Sequence, residues 1–233
     1  MKLRGSLLVG LLALFVSSSC GRAVPARPQG GGAPERPRLV LFIAVDQMRY
    51  DYLTRFRDSF TGGLRQLLTE GADFTNAHLE HYPSVTAIGH SAMLTGAPPS
   101  VSGIIGNDWY DRDEKKNITS VSDPGVTGLG GVAPASPHRL LVSTVGDELK
   151  MAGRASHVIG LSLKDRSAIL PAGRMADGAF WLDIASGSFG SSTWYAPDLP
   201  AWIKEWNARH PADAYAGKSW VGGTLPATKG PAL

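Results

Sequence analysis

The chain has 233 residues, 43% hydrophobic and 18% charged. That suits one sizeable globular domain and excludes both wholesale disorder and a membrane bundle. Two charges of the formal +3 are Lys2 and Arg4 at the extreme N-terminus; without them the chain is nearly neutral, leaving no electrostatic case for nucleic acid.

Lys2 and Arg4 lead into the apolar run Leu7–Val16 and then Ser17-Ser18-Ser19-Cys20. This order is that of a bacterial export signal over residues 1–20, and the run is too short for a stable transmembrane helix. Cys20 is the sole cysteine, so no intramolecular disulfide is available. It follows three serines as in lipoprotein signals, but Ser17 stands where leucine is usual. A lipid anchor at Cys20 and plain release into the periplasm both stay open. Residues 21–37, rich in Pro, Gly and Ala, read as a flexible tether.

The folded part is expected over residues 38–233. Arg38–Val45 is a continuous apolar run of strand length, read as a strand buried on both faces and ending on Asp46. Leu64, Leu67 and Leu68 repeat at helical spacing up to Gly71, and Ala72–His78 is a short strand. Thr86–Leu94 reads as a helix stopped by Gly96 and Pro98-Pro99. Pro124–Pro137 is a loop, and Leu140, Leu141, Val145 and Leu149 mark a helix closed by Gly153. His157–Leu163 is another buried strand, ending on Lys164. Phe180–Leu182 and Thr193–Tyr195 suggest a hairpin, and Trp202, Ile203 and Trp206 a last helix. Alternating strands and helices give an α/β fold with a mainly parallel sheet flanked by helices. Working residues of such sheets gather at the carboxyl ends of strands, where Asp46 and Lys164 fall.

Two familiar motifs fail. Gly89-His90-Ser91-Ala92-Met93 lacks the final glycine of a nucleophile elbow, and its serine falls inside a helix. Gly128-Leu129-Gly130 reaches Ala133 where a dinucleotide fingerprint needs its third glycine. His78, His81 and His90 show no zinc-enzyme helix spacing and read individually as structural.

Four segments taken together carry a resemblance. They are Val45–Tyr52, Pro83–His90, Gly103–Trp109 and Leu161–Gly173. In this order and spacing they resemble the threonine-nucleophile periplasmic alkaline phosphatases, within the type I phosphodiesterase/nucleotide pyrophosphatase group of the alkaline phosphatase superfamily. The resemblance runs from about Leu39 to Asn207. It implies phosphate monoester hydrolysis through a phosphothreonine at a two-zinc site. Asp46 matches a zinc ligand and Thr86 the nucleophile, itself a zinc ligand. Asn107 matches an amide donor to a phosphoryl oxygen, and Lys164 with Arg166 the pair contacting the remaining phosphoryl oxygens. Substrate contacts thus fall to Thr86, Asn107, Lys164 and Arg166. The chemistry suits these residue types, because a dianionic monoester needs charge neutralised and an activated oxygen supplied. Taken singly, Thr86 also suits an ordinary N-cap, Asn107 a turn, and Lys164 and Arg166 a solvated loop.

The resemblance also places most zinc ligands in a C-terminal portion beyond Leu233. No Asp-x-x-x-His or Asp-His pair occurs in the chain, and the stretch Gly222–Leu233 reads as cut within a domain, so the fold is expected to be incomplete. The alternatives are a phosphodiesterase or nucleotide pyrophosphatase, and a non-catalytic remnant that binds anions at best.

Overall fold

A computed structural model describes residues 37–219; the export signal and nearly all of the tether lie outside the described residues. The chain divides into two units, Met1–Ile43 and Ala44–Leu233. In the first, described residues 37–43 form no helix or strand, and Leu39, Val40, Leu41 and Ile43 are all exposed. Ala44 and Val45, opening the second unit, are not in a strand either. The strand expected over Arg38–Val45 is therefore absent. A doubly buried strand exists only with ladder partners beside it and layers on both faces, and none of the described strands pairs with this run.

In the second unit a short helix α1 (Asp51–Arg55) precedes α2 (Gly62–Glu70), which carries the Leu64/Leu67/Leu68 stripe and stops at Gly71 as expected. Ala72–His78 is not a strand but an exposed turn-containing segment, in which His78 Nε2 meets Asn76 Oδ1 at 3.0 Å. Helix α3 (Thr86–Thr95) ends at Gly96, and α4 (Pro99–Ser102) follows.

The next hairpin, β1 (Asp108–Asp111) with β2 (Lys116–Thr119), lies opposite in register at Trp109 and Ile118. Its turn is closed by Asp111 Oδ1, which accepts from the Asp113 and Glu114 N–H groups at 2.9 Å. The Gly/Pro-rich loop holds a two-residue strand β3 (Gly128–Leu129). Leu140 and Leu141 precede helix α5 (Val145–Met151) rather than joining it, because Thr144 makes a capping box with Asp147 and starts the helix there.

A βαβ unit follows: β4 (Ile159–Ser162), α6 (Asp165–Ala172) and β5 (Gly178–Asp183), with β4 and β5 parallel. The hairpin returns on β6 (Ser188–Ser192), earlier than Thr193–Tyr195, because Asp183 accepts from the Ala185 and Ser186 N–H groups and tightens the turn. Helix α7 (Ala201–Ala208) buries Ile203.

The four-stranded sheet runs β3-β6-β5-β4. It is mixed: β4–β5 is parallel, while β5–β6 and β6–β3 are antiparallel. The α/β class stands. The core gathers Ala87 of α3, Ala168, Ile169, Leu170 and Ala172 of α6, and Ala179 and Trp181 of β5. Helix α6 lies so close to β4 that a Cβ on Gly160 would sit 2.1 Å from the Ala168 carbonyl oxygen. No described helix is long and apolar enough to cross a membrane.

Candidate active site

Thr86 is the first residue of α3, and the N-cap is Val85, in extended conformation with no side-chain cap. The ordinary N-cap reading of Thr86 therefore fails. Its hydroxyl instead donates to Asp46 Oδ2 at 2.8 Å, across 40 residues of sequence. Asp46 stands in a turn and is exposed, so the pair opens to solvent. An alcohol directed at a carboxylate, at a helix start where N–H groups lack intrahelical partners, is an arrangement suited to an anionic group.

Asn107 joins the same helix start. Its Oδ1 accepts from the Ala87 N–H at 2.8 Å, and its carbonyl accepts from the Ser120 N–H at 2.9 Å. Because an N–H can only donate, the Ala87 bond fixes the side-chain amide orientation and assigns Nδ2 as the donor on the other side. The Asn107 turn thus serves α3 rather than only itself. His90, one turn along and buried, has Nδ1 2.8 Å from the Thr86 carbonyl oxygen; a carbonyl only accepts, so Nδ1 carries the proton. Sequence reading passed over this contact. The Thr86-x-x-x-His90 spacing is its one visible signal, since residues four apart share a helix face.

Lys164 is the exposed N-cap of α6, and Arg166 lies in the helix's first turn, half-buried. The solvated-loop reading of this pair gives way to a helix start. Arg166 Nη1 is 3.7 Å from Asp165 Oδ1, and its Nε is buried without a hydrogen-bond partner among the described residues. Helices α3 and α6 pack together, and Ala87, Ala168 and Ile169 share one apolar cluster. Two helices in contact therefore carry the hydroxyl and the two cations at their N-termini.

Asp46 and Thr86 are adjacent, as two oxygen ligands of one metal ion must be. A catalytic zinc needs about three protein ligands, and no group of three or more His, Cys, Asp or Glu residues able to hold a metal occurs among the described residues. The donors here suit part of a metal site and do not complete one. His78 bonds locally to Asn76, His90 to its own helix, and both His81 ring nitrogens are buried without partners among the described residues.

The sequence pattern of the type I phosphodiesterase / nucleotide pyrophosphatase family matches residues 40–221. Alkaline phosphatase PhoV of Synechococcus elongatus is 41% identical over 92% of this chain and 40% of its own length. Alkaline phosphatase PafA of Elizabethkingia meningoseptica is 41% identical over 82% of this chain and 36% of its own. A protein of Myroides odoratus named calcium-transporting ATPase is 43% identical over 80% and 35%. A crystal structure of a PafA variant, substituted at a threonine, an asparagine, a lysine and an arginine, superposes with a TM-score of 0.79 and 39% identity, covering 84% of this chain and 39% of that one. The chain thus spans about two fifths of the length of the curated relatives it matches.

Proposed function

The chain belongs to the type I phosphodiesterase / nucleotide pyrophosphatase family and shares the fold of alkaline phosphatase PafA, and from that premise we propose that it carries the nucleophile and phosphate-binding half of a phosphate monoester hydrolase. The observation that carries this reading is the Thr86 hydroxyl, turned away from capping α3 and donated to Asp46. Thr86 Oγ1 attacks phosphorus, giving up its proton to solvent at the exposed Asp46 side, and the ester oxygen departs as the alcohol with a proton taken from water. Water then cleaves the phosphothreonine, releasing inorganic phosphate and restoring the hydroxyl.

Asn107, its Oδ1 held by the Ala87 N–H, donates through Nδ2 to a phosphoryl oxygen. Lys164 and Arg166 neutralise the second negative charge, which only a monoester carries; this favours monoesters over diesters. Arg166 Nε, buried without a hydrogen-bond partner among the described residues, supports that role. The substituted residue types of the solved PafA variant are those of Thr86, Asn107, Lys164 and Arg166, with the same spacing inside the Thr/Asn pair and the Lys/Arg pair.

Asp46 and Thr86 would hold part of a two-zinc site, whose other ligands belong to the length of the relatives this chain does not span. Bound zinc lowers the pKa of a coordinated hydroxyl and offsets phosphate charge. We place the activity in the bacterial envelope, after export by residues 1–20, with Cys20 either lipidated or removed. The test is to quench the full-length protein in acid during turnover of a phosphorus-labelled monoester and map the label. Label on Thr86 is expected; label elsewhere, or none with turnover intact, overturns the reading.

A further inference from the structure

Asp147 is a buried carboxylate, 2% exposed, that the chemistry above does not use. Among the described residues its hydrogen-bond donors are backbone N–H groups. Oδ2 accepts from Thr144 at 2.9 Å and from Arg174 at 3.2 Å, and Oδ1 accepts from Met175 at 2.6 Å. The Asp147 N–H in turn donates to the Thr144 hydroxyl at 3.1 Å, and that hydroxyl donates to the Ala172 carbonyl oxygen at 3.4 Å. Thr144 is fully buried. Gly173 passes at φ +89°, and a Cβ there would meet Asp147 Oδ2 and Thr144 Oγ1 at 2.4 Å. Removing a carboxylate from water is costly, and charge-assisted bonds to three amides offset that cost only if their geometry is kept. The result is a stiff clamp between the start of α5 and the residues immediately after α6.

Helix α6 carries Arg166 in its first turn and Lys164 at its N-cap. An eight-residue helix is a rod of about 12 Å, so a shift at its clamped end reaches its cationic end almost undiminished. Its flank rests on β4 at Gly160 and on α3. We propose that Asp147 is the positioning residue for Lys164 and Arg166, setting how far α6 reaches along α3 and hence where the cation pair stands relative to Thr86. The proposal rests on the monoesterase reading.

The test compares kcat/KM for a chromogenic phosphate monoester and its diester counterpart in the full-length protein. Asp147→Asn keeps the shape but turns N–H donors toward N–H donors. It is expected to lower monoester kcat/KM roughly 10-fold, as sub-ångström misplacement does, while the diester changes less than about twofold. In a background carrying Lys164→Ala and Arg166→Ala, adding Asp147→Asn should leave the monoester/diester ratio where it was, because nothing remains to position. Should Asp147→Asn fail to fold, Thr144→Val, which removes one hydroxyl from the clamp, is expected to shift the ratio the same way by less. Equal losses on both substrates, or a ratio shift that persists in the double-alanine background, overturns the positioning role alone. A double-alanine variant with an unchanged ratio overturns the monoesterase reading and this proposal with it.

Discussion

Thr86→Ala in the full-length protein is expected to lower monoester turnover by at least about 10³-fold, with Thr86→Ser retaining far more, because only the serine keeps a hydroxyl toward Asp46. Steady-state kinetics beside an unchanged circular dichroism spectrum check this; near-native turnover of the alanine variant would remove Thr86 from the chemistry. Neutralising Lys164 and Arg166 together should slow monoesters at least about tenfold more than diesters; equal losses would instead point to the diesterase. Away from the site, His138 packs its Nδ1 3.4 Å from Asp123 Oδ2, and the Ser136 hydroxyl touches both. Burial lowers the His138 pKa below 6.5, helped by the Arg139 charge and opposed by Asp123. The Asp123 carboxyl also falls below 3.8, since bonds from Ser136 and the Gly125 N–H outweigh its burial. Both folded values are depressed, so the unfolded chain binds more protons. The stability His138 contributes is whole above pH 6.5 and is lost as pH falls from there through its folded pKa. Urea midpoints measured between pH 7.5 and 5 should decline, and His138→Gln should flatten that decline.

Secondary elements show what the sequence could and could not disclose. Helix α3 was legible because a continuous small and apolar run meets clear stops at Gly96 and Pro98. Helix α6 was not: it has eight residues with Pro171 in its last turn, so Lys164 could be placed at a strand end but not at a helix start. Strand β6 hid because its inward residues are serines, with the Ser191 hydroxyl donating to the Ala179 carbonyl instead of packing as an apolar side chain. The β1–β2 hairpin hid behind a four-residue charged turn closed by Asp111. The site residues could be named only through the resemblance of four segments to a known family, and nothing in those segments signalled that Asn107 is oriented by the Ala87 amide. At this scale Gly160→Ala is expected to destabilise by about 3 kcal/mol, the upper end for overpacking, because its Cβ meets backbone and not a side chain that can swing away. Thermal or urea unfolding checks this; a change below about 0.5 kcal/mol would mean that β4 can part from α6 freely.

Across the molecule the apolar surface is unevenly covered. In β4, Gly160 faces α6 while Ile159 and Leu161 are exposed, as is Leu163 beyond it. In the relatives this family fold extends over more than twice the length. Bare strand faces and unpaired edges favour association between chains. Residues 21–233 expressed alone are therefore expected to aggregate, to bind well under two zinc ions per chain, and to leave a chromogenic monoester unhydrolysed. Light scattering, metal analysis and a turnover assay on monomeric material decide this. Two tightly held ions with steady turnover would show that ligands were misplaced, with His78, His81 and His90 the first to replace.

The bond between Thr86 and Asp46 has a consequence in time as well as space. Forty residues separate the partners along the chain, and in a random coil such ends lie on the order of 35 Å apart. Before folding, Thr86 is an ordinary alcohol with no carboxylate at hand. A chain threaded through a membrane unfolded would cross it chemically silent, and its hydroxyl would acquire a partner only on the far side. On that route the Thr86–Asp46 pair would form only with the fold, after the crossing and not before.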